Sequence, residues 1–220
     1  MGWNPASGEW KPLCEAPADL SFNNVACDPK SGNVLFVLHT KDWNYSWQVL
    51  PIGRRELKRV FNRRAEDADF PAFDAGGVLY FARRGDVWKG ELEEDAEQNR
   101  YVLVGHRIWP LAQLETAVGT PDSAGAHEIA PLTTHLLISR GRLGGSGWGA
   151  VVRVPKVDAY EKKLPLAWEE LREYPWPELA SAPDGTRAVV YERSGNRWLL
   201  LETPDGTLVP LASSQEEADH

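Results

Sequence analysis

The run Gly141-Arg142-Leu143-Gly144-Gly145-Ser146-Gly147-Trp148-Gly149 is the loudest candidate for chemistry in this chain. A phosphate-cradling loop would close on Gly-Lys followed by Ser or Thr, and no such ending follows. A nucleophile elbow around Ser146 would need glycine at position 148, where Trp148 stands. The run reads instead as a hairpin tip that offers Arg142 and Trp148 for contact.

The remaining reactive side chains form no catalytic spacing. His39, His106, His127, His135 and His220 show neither the H-E-x-x-H pattern nor an i, i+4 helical pair. Satisfied structural or surface histidines are the expectation, with no metal and no cofactor. Glu91, Glu93, Glu94, Asp95 and Glu97 form a charge run of the kind that lies on a solvated turn. Cys14 and Cys27 form no C-x-x-C pair, and free buried thiols are expected. The basic group Arg54, Arg55, Lys58, Arg59, Arg63 and Arg64 is followed by Glu66, Asp67 and Asp69, which suits the charged outer edge of a sheet.

Ten tryptophans are the compositional anomaly. Trp43, Tyr45 and Trp47 alternate, so a strand places all three on one face. They fit either the packing between sheets or an exposed aromatic anchor of the kind that dominates interfaces. Trp43, Trp47, Trp109, Arg142 and Trp148 are the candidate protein-binding residues, and no residue is a candidate catalyst.

These side chains must be positioned by strands. Four anchor segments superpose: Asn24–Leu38, Phe70–Ala82, His127–Ser139 and Leu179–Tyr191. Each reads as a short strand, a tight turn and a strongly apolar strand. Pro183-Asp184-Gly185 and Pro204-Asp205-Gly206 supply turns in which Pro presets φ and Gly takes the left-handed position. A further strand follows each anchor, and an outer one is expected around Glu56–Val60, Tyr101–Val104 and Thr207–Leu211. Four strands per unit at a spacing of roughly 45–60 residues is the signature of propeller blades. Near-continuous apolar runs such as Val34–Leu38 suit strands covered on both faces. Short helices are expected around Ala167–Glu173 and Arg107–Val118, between the units.

The segment Ser181-Ala182-Pro183-Asp184-Gly185-Thr186-Arg187-Ala188-Val189-Val190-Tyr191 resembles the Ser-Pro-Asp-Gly-Lys strand repeat of the TolB-like, WD40-like β-propellers, with Ala182 where that pattern has Ser. Asp28-Pro29-Lys30-Ser31-Gly32 is a looser relative. The resemblance implies a propeller and a protein-interaction role, and it implies no catalytic residue.

The expected fold is therefore all-β: a small propeller of four four-stranded blades, with five as the alternative and a β-sandwich as runner-up. Residues 1–212 form one domain, closed into a ring by the N-terminal strand, and the polar residues 213–220 form a disordered tail. The net charge of −8 disfavours nucleic acid as a partner and fits a basic protein. The start of the sequence has neither a basic n-region nor an apolar h-region, and no apolar run is long enough to span a bilayer. A soluble, cytoplasmic, monomeric protein is the expectation. Its expected function is non-enzymatic protein binding, in the sharper version as an inhibitor or immunity protein that neutralises a basic partner. The alternatives are a hydrolase or lyase working in the central channel, near Asn24, Phe70, His127 and Glu178, and a scaffold subunit of a larger assembly.

Overall fold

A computed structural model describes residues 2–4, 6–42, 44–61, 68–110, 123–142, 148–158, 162, 169–175, 178–181, 187–193, 196–203 and 207–213. All regular structure among them is strand. A short hairpin, β1 (Gly2–Asn4) and β2 (Glu9–Lys11), precedes four meander units. The first comprises β3 (Ser21–Cys27), β4 (Val34–His39), β5 (Tyr45–Leu50) and β6 (Lys58–Phe61). The second comprises β7 (Ala68–Phe73), β8 (Leu79–Arg83), β9 (Asp86–Asp95) and β10 (Arg100–Trp109). The third comprises β11 (Ser123–Pro131), β12 (His135–Arg142), β13 (Trp148–Pro155) and β14 (Glu169–Pro175). The fourth comprises β15 (Glu178–Ser181), β16 (Arg187–Arg193), β17 (Asn196–Glu202) and β18 (Leu208–Ser213). No helix among the described residues is long and apolar enough to cross a membrane.

The turns form for local reasons. Asp28 accepts the Lys30 N–H and the Ser31 hydroxyl, which closes the β3–β4 connection. Asp74 does the same for β7–β8, its Oδ1 accepting the N–H groups of Gly76 at 2.9 Å and Val78 at 3.0 Å. Gly77 completes that turn at φ 78°. A Cβ there would also stand 2.8 Å from Lys30 Cβ, so only glycine lets the second unit's turn pack on the first's.

The units cover one another's faces. Along β8 the side chains alternate between two cores: Leu79 and Phe81 join Leu35, Val37 and Trp47 of the first unit, whereas Tyr80 and Ala82 join Ile129 and Leu136 of the third. This is why β8 is apolar at each position from Leu79 to Ala82 rather than at every second one. Trp47 meets Phe81 edge to face at 5.5 Å between ring centroids. The first two units also fuse through their outer strands: β6 and β10 pair in parallel, Tyr101 opposite Val60, giving one eight-stranded sheet.

Several expectations are corrected. The helix expected around Ala167–Glu173 is a strand over its described part, because β14 hydrogen-bonds to β13 with Val152 opposite Glu170. Arg107–Trp109 belongs to β10, and positions 111–118 of the other expected helix lie outside the described residues. The N-terminal strand does not extend the last sheet: β1 pairs with β2, and the fourth sheet runs β15-β16-β17-β18. Cys14 and Cys27 are free as expected, but Cys14 is only half-buried and Cys27 is exposed. The turns Pro183-Asp184-Gly185 and Pro204-Asp205-Gly206 and the tail beyond Ser213 lie outside the described residues. The strands flanking the first of these turns do pair, Ser181 opposite Arg187.

Candidate functional site

The innermost strands β3, β7, β11 and β15 stand side by side in that order. The first three break register, between Phe22 and Asn24, between Asp69 and Ala72, and between Ala126 and Glu128. A bulge bends its strand and re-aims the side chains beyond it. At the β7 break Phe70 holds φ 51°, a left-handed conformation unusual for an aromatic residue, and its side chain packs against the core shared by the second and third units. Beyond the breaks the three strands open around a cavity of ≈ 540 Å³, within the range of roughly 300–1,000 Å³ common for small-molecule sites. Asn24 and Cys27 line it from β3, Phe70 and Phe73 from β7, and Glu128 and Ile129 from β11. Asp74 and Lys156 complete the wall.

Asp74 and Lys156 come from different units. Lys156 follows the last residue of β13, and its own N–H donates to Thr134 O at 2.9 Å, which fixes it beside the β11–β12 turn. Its Nζ donates to Asp74 Oδ2 at 2.8 Å and lies 5.2 Å from the Tyr80 ring centroid. Both side chains of the pair are largely shielded, at 12% and 15% exposure. Burial pushes the Asp74 carboxyl upward, but the bond and charge of Lys156 and the two turn amides outweigh it, so the carboxyl is held below its ordinary value. Tyr80 is pushed up to about 12 by burial, then by the Asp74 charge and by donating its hydroxyl to that carboxylate.

Two neighbouring contacts fasten the same segment to the second unit. Trp109 Nε1–H donates to Pro155 O at 2.9 Å, and His106 Nε2 lies 2.7 Å from Asp158 Oδ2. Lys156 is therefore held from both sides along the chain. Glu128, opposite Ser139 in the β11–β12 ladder, is half-buried on the cavity wall. A fixed ammonium and a carboxylate on one wall can stabilise a developing negative charge and move a proton. Among the described residues no three His, Cys, Asp or Glu side chains are grouped as a metal set.

The aromatic anchors chosen from sequence lie elsewhere. Trp47 and Trp109 are each 1% exposed and belong to the two inter-unit cores, which corrects their assignment as surface contacts. Trp43 lies outside the described residues. Arg142 ends β12 and Trp148 begins β13, but their side chains lie outside what the structure describes. The channel positions Asn24 and Phe70 do line the cavity. Asp74, Glu128 and Lys156 were missed as a group. Asp74 sits in a turn motif that explains it structurally, and no local pattern marks Lys156.

No protein-family model matches this chain, and no curated protein does. Among solved structures it is similar to a bifunctional GH43-CE protein of Bacteroides eggerthii, at 14% identity and a TM-score of 0.51 over 88% of this chain and 25% of that one. It is also similar to the subtype N10 neuraminidase-like protein of A/little yellow-shouldered bat/Guatemala/060/2010, at 12% identity and a TM-score of 0.45 over 89% of this chain and 60% of that one. This chain thus spans about a quarter of the length of the first. The first likeness is one of fold, an all-β propeller architecture. The expectation of a non-enzymatic module that binds a basic protein is corrected on two findings: the shared architecture is that of a GH43-CE protein, and two of the tryptophans meant to make the contact are interior.

Proposed function

We propose that the protein is a hydrolase whose site is the cavity at the turn ends of β3, β7 and β11. The observation that carries this reading is the shielded Lys156–Asp74 pair, on the same cavity wall as Glu128 and beyond three bulged strands. An ion pair facing a space of that size is within reach of a bound molecule as well as being a link between units. Pairing two charges in such a place costs desolvation. Glu128 takes the role of general base toward a water, and Lys156 that of the fixed cation, aimed by Asp74. The cavity suits a small substrate with an apolar part, since Phe70, Phe73 and Ile129 line it.

The reading is tested by steady-state turnover on a broad panel of chromogenic esters, glycosides and phosphates. At least one class should be hydrolysed, and Glu128→Gln should lower that rate by about 10²–10⁴-fold with an unchanged far-ultraviolet spectrum. A turnover that survives Glu128→Gln unaltered places the chemistry elsewhere and ends the proposal.

A further inference from the structure

The geometry points to a neutral carbonyl oxygen as the group that Lys156 holds in this cavity, on a small molecule whose remainder is apolar. The inference deepens the hydrolase reading by naming a substrate class, and it rests on that reading for the cavity's being the site. An ammonium carries three N–H donors. Among the described residues, Lys156 Nζ donates to one oxygen, Asp74 Oδ2 at 2.8 Å, and lies 5.2 Å from the Tyr80 ring centroid. Both contacts come from the second unit. At least one N–H is left over, and Lys156 lines the cavity.

Asp74 does not compete for the ligand. A carboxylate has about four acceptor positions. Those of Asp74 are met by the N–H of Gly76, the N–H of Val78, the ammonium of Lys156 and the hydroxyl of Tyr80. Asp74 therefore aims the ammonium and offers a bound molecule nothing itself. The donor is also fixed in advance. At 12% exposure and bonded to Asp74, the Lys156 side chain has given up its rotamer freedom. Its backbone is pinned by Thr134 O on one side and through Pro155 O by Trp109 on the other. A donor already ordered costs a ligand little entropy to meet.

The preference for a neutral oxygen arises within the pair and asks nothing of Glu128. An oxygen at hydrogen-bond distance from a tetrahedral ammonium stands about 4–5 Å from the oxygen on its neighbouring N–H. A carboxylate or phosphate held by Lys156 would thus meet the repulsion of Asp74 as well as the attraction of the ammonium. It would also bear the full cost of leaving water. A carbonyl oxygen loses far less on leaving water and still receives a charge-assisted hydrogen bond. Phe70, Phe73 and Ile129 line the same space of ≈ 540 Å³, which gives the apolar remainder a surface to cover.

The experiment measures binding of three probes of similar shape by NMR titration. Acetophenone carries the carbonyl, ethylbenzene has a methylene in its place, and benzoate carries a carboxylate. None can be hydrolysed, so the result is independent of turnover. Acetophenone should bind about tenfold or more tighter than ethylbenzene, and tighter than benzoate. Lys156→Met should bring acetophenone to within about threefold of ethylbenzene, and Lys156→Arg should keep part of the advantage. In wild-type protein carrying ¹⁵N-lysine, acetophenone should move one side-chain Nζ resonance that ethylbenzene leaves in place. That readout holds even where a variant fails to fold. Benzoate bound tighter than acetophenone, an acetophenone advantage that is absent or survives Lys156→Met, or no binding of any probe would each overturn the carbonyl claim. Turnover of any chromogenic class that Glu128→Gln abolishes would then leave the hydrolase reading standing.

Discussion

Lys156 Nζ lies 2.8 Å from Asp74 Oδ2 although 82 positions separate the two residues in sequence. The bond joins the third meander unit to the second at the cavity wall, so it does two jobs. It places a cation where a substrate would sit, and it fastens two sheets that also share an apolar core and the Trp109–Pro155 and His106–Asp158 contacts. Removing either partner strands a shielded charge. Asp74→Asn or Lys156→Met alone should each cost about 3 kcal/mol of unfolding free energy. The double variant should cost clearly less than the sum of the two, since no charge is then left alone. Chemical denaturation of the three variants measures this, and simple additivity would show that the two side chains do not depend on each other.

The same pair sets an acid limit. Asp74 titrates lower in the folded protein than in the unfolded chain. The stability it contributes is complete above the unfolded value of about 3.9 and disappears as pH falls through the folded one. Unfolding free energy should therefore drop on acidification below about pH 4, and Asp74→Asn should flatten that part of the profile. A variant profile parallel to wild type would remove Asp74 from the account.

At the alkaline end Tyr80 acts with the opposite direction of shift. Its phenol is pushed up to about 12, and in the unfolded chain it would titrate near 10. The folded state keeps the proton longer. This contribution is fully present below about pH 10 and is lost as pH rises through 12, about 2–3 kcal/mol in all. Tyr80→Phe should lack this alkaline decline. Ultraviolet titration of phenolate at 295 nm, with wild type and variant compared, shows whether one tyrosine ionises late.

How much of this was legible in the sequence depends on the range of the interaction involved. The strand Val34–His39 and its turn at Asp28 are local, and the apolar run, the Asx contact and the following glycine announced them. Ala167–Glu173 read as a helix, with Leu164, Trp168 and Leu171 as its apolar positions, yet Glu169–Pro175 is strand β14. Its partner β13 lies before a connection whose content gave no sign of a ladder, and it is the pairing with that partner that makes it a strand. Trp47 alternated with Trp43 and Tyr45, a pattern equally suited to a core face and a contact face. Only its neighbour Phe81, from the next unit, decides for the core. Of the inner-strand positions named from sequence, Asn24 and Phe70 line the cavity, and the side chains of His127 and Glu178 lie outside what the structure describes. Lys156 was not visible at all, because its partner is set by how two units dock.

Trp47 and Trp109 thus make a prediction opposite to that for surface anchors. Each is fully enclosed between two units, so truncation leaves a large cavity. Trp47→Ala and Trp109→Ala should each cost about 3–5 kcal/mol. Trp109→Phe should cost less, because it keeps most of the packing while leaving the Pro155 carbonyl without its 2.9 Å donor. Equilibrium denaturation ranks the three. Wild-type stability in either alanine variant would contradict the interior placement.

Gly90 and Gly105 face each other across β9 and β10, and the reason is the ring of Phe81. A Cβ on Gly90 would stand 3.1 Å from Phe81 Cε1, and one on Gly105 would stand 3.3 Å from Phe81 Cζ. Each would also press on backbone, at 2.7 Å from Val104 O and 2.9 Å from Lys89 O respectively. Backbone in a paired ladder cannot step aside as a flexible side chain can. The bare patch lets Phe81 lie flat on the sheet and present its edge to Trp47. Gly90→Ala should therefore destabilise by about 1–3 kcal/mol despite the better strand propensity of alanine. Phe81→Leu in the same background should recover part of that loss, because the smaller side chain vacates the space. Thermal melts of the single and double variants decide it: no recovery by Phe81→Leu would mean the ladder, not the ring, chose glycine, and a Gly90→Ala protein as stable as wild type would mean that neither did.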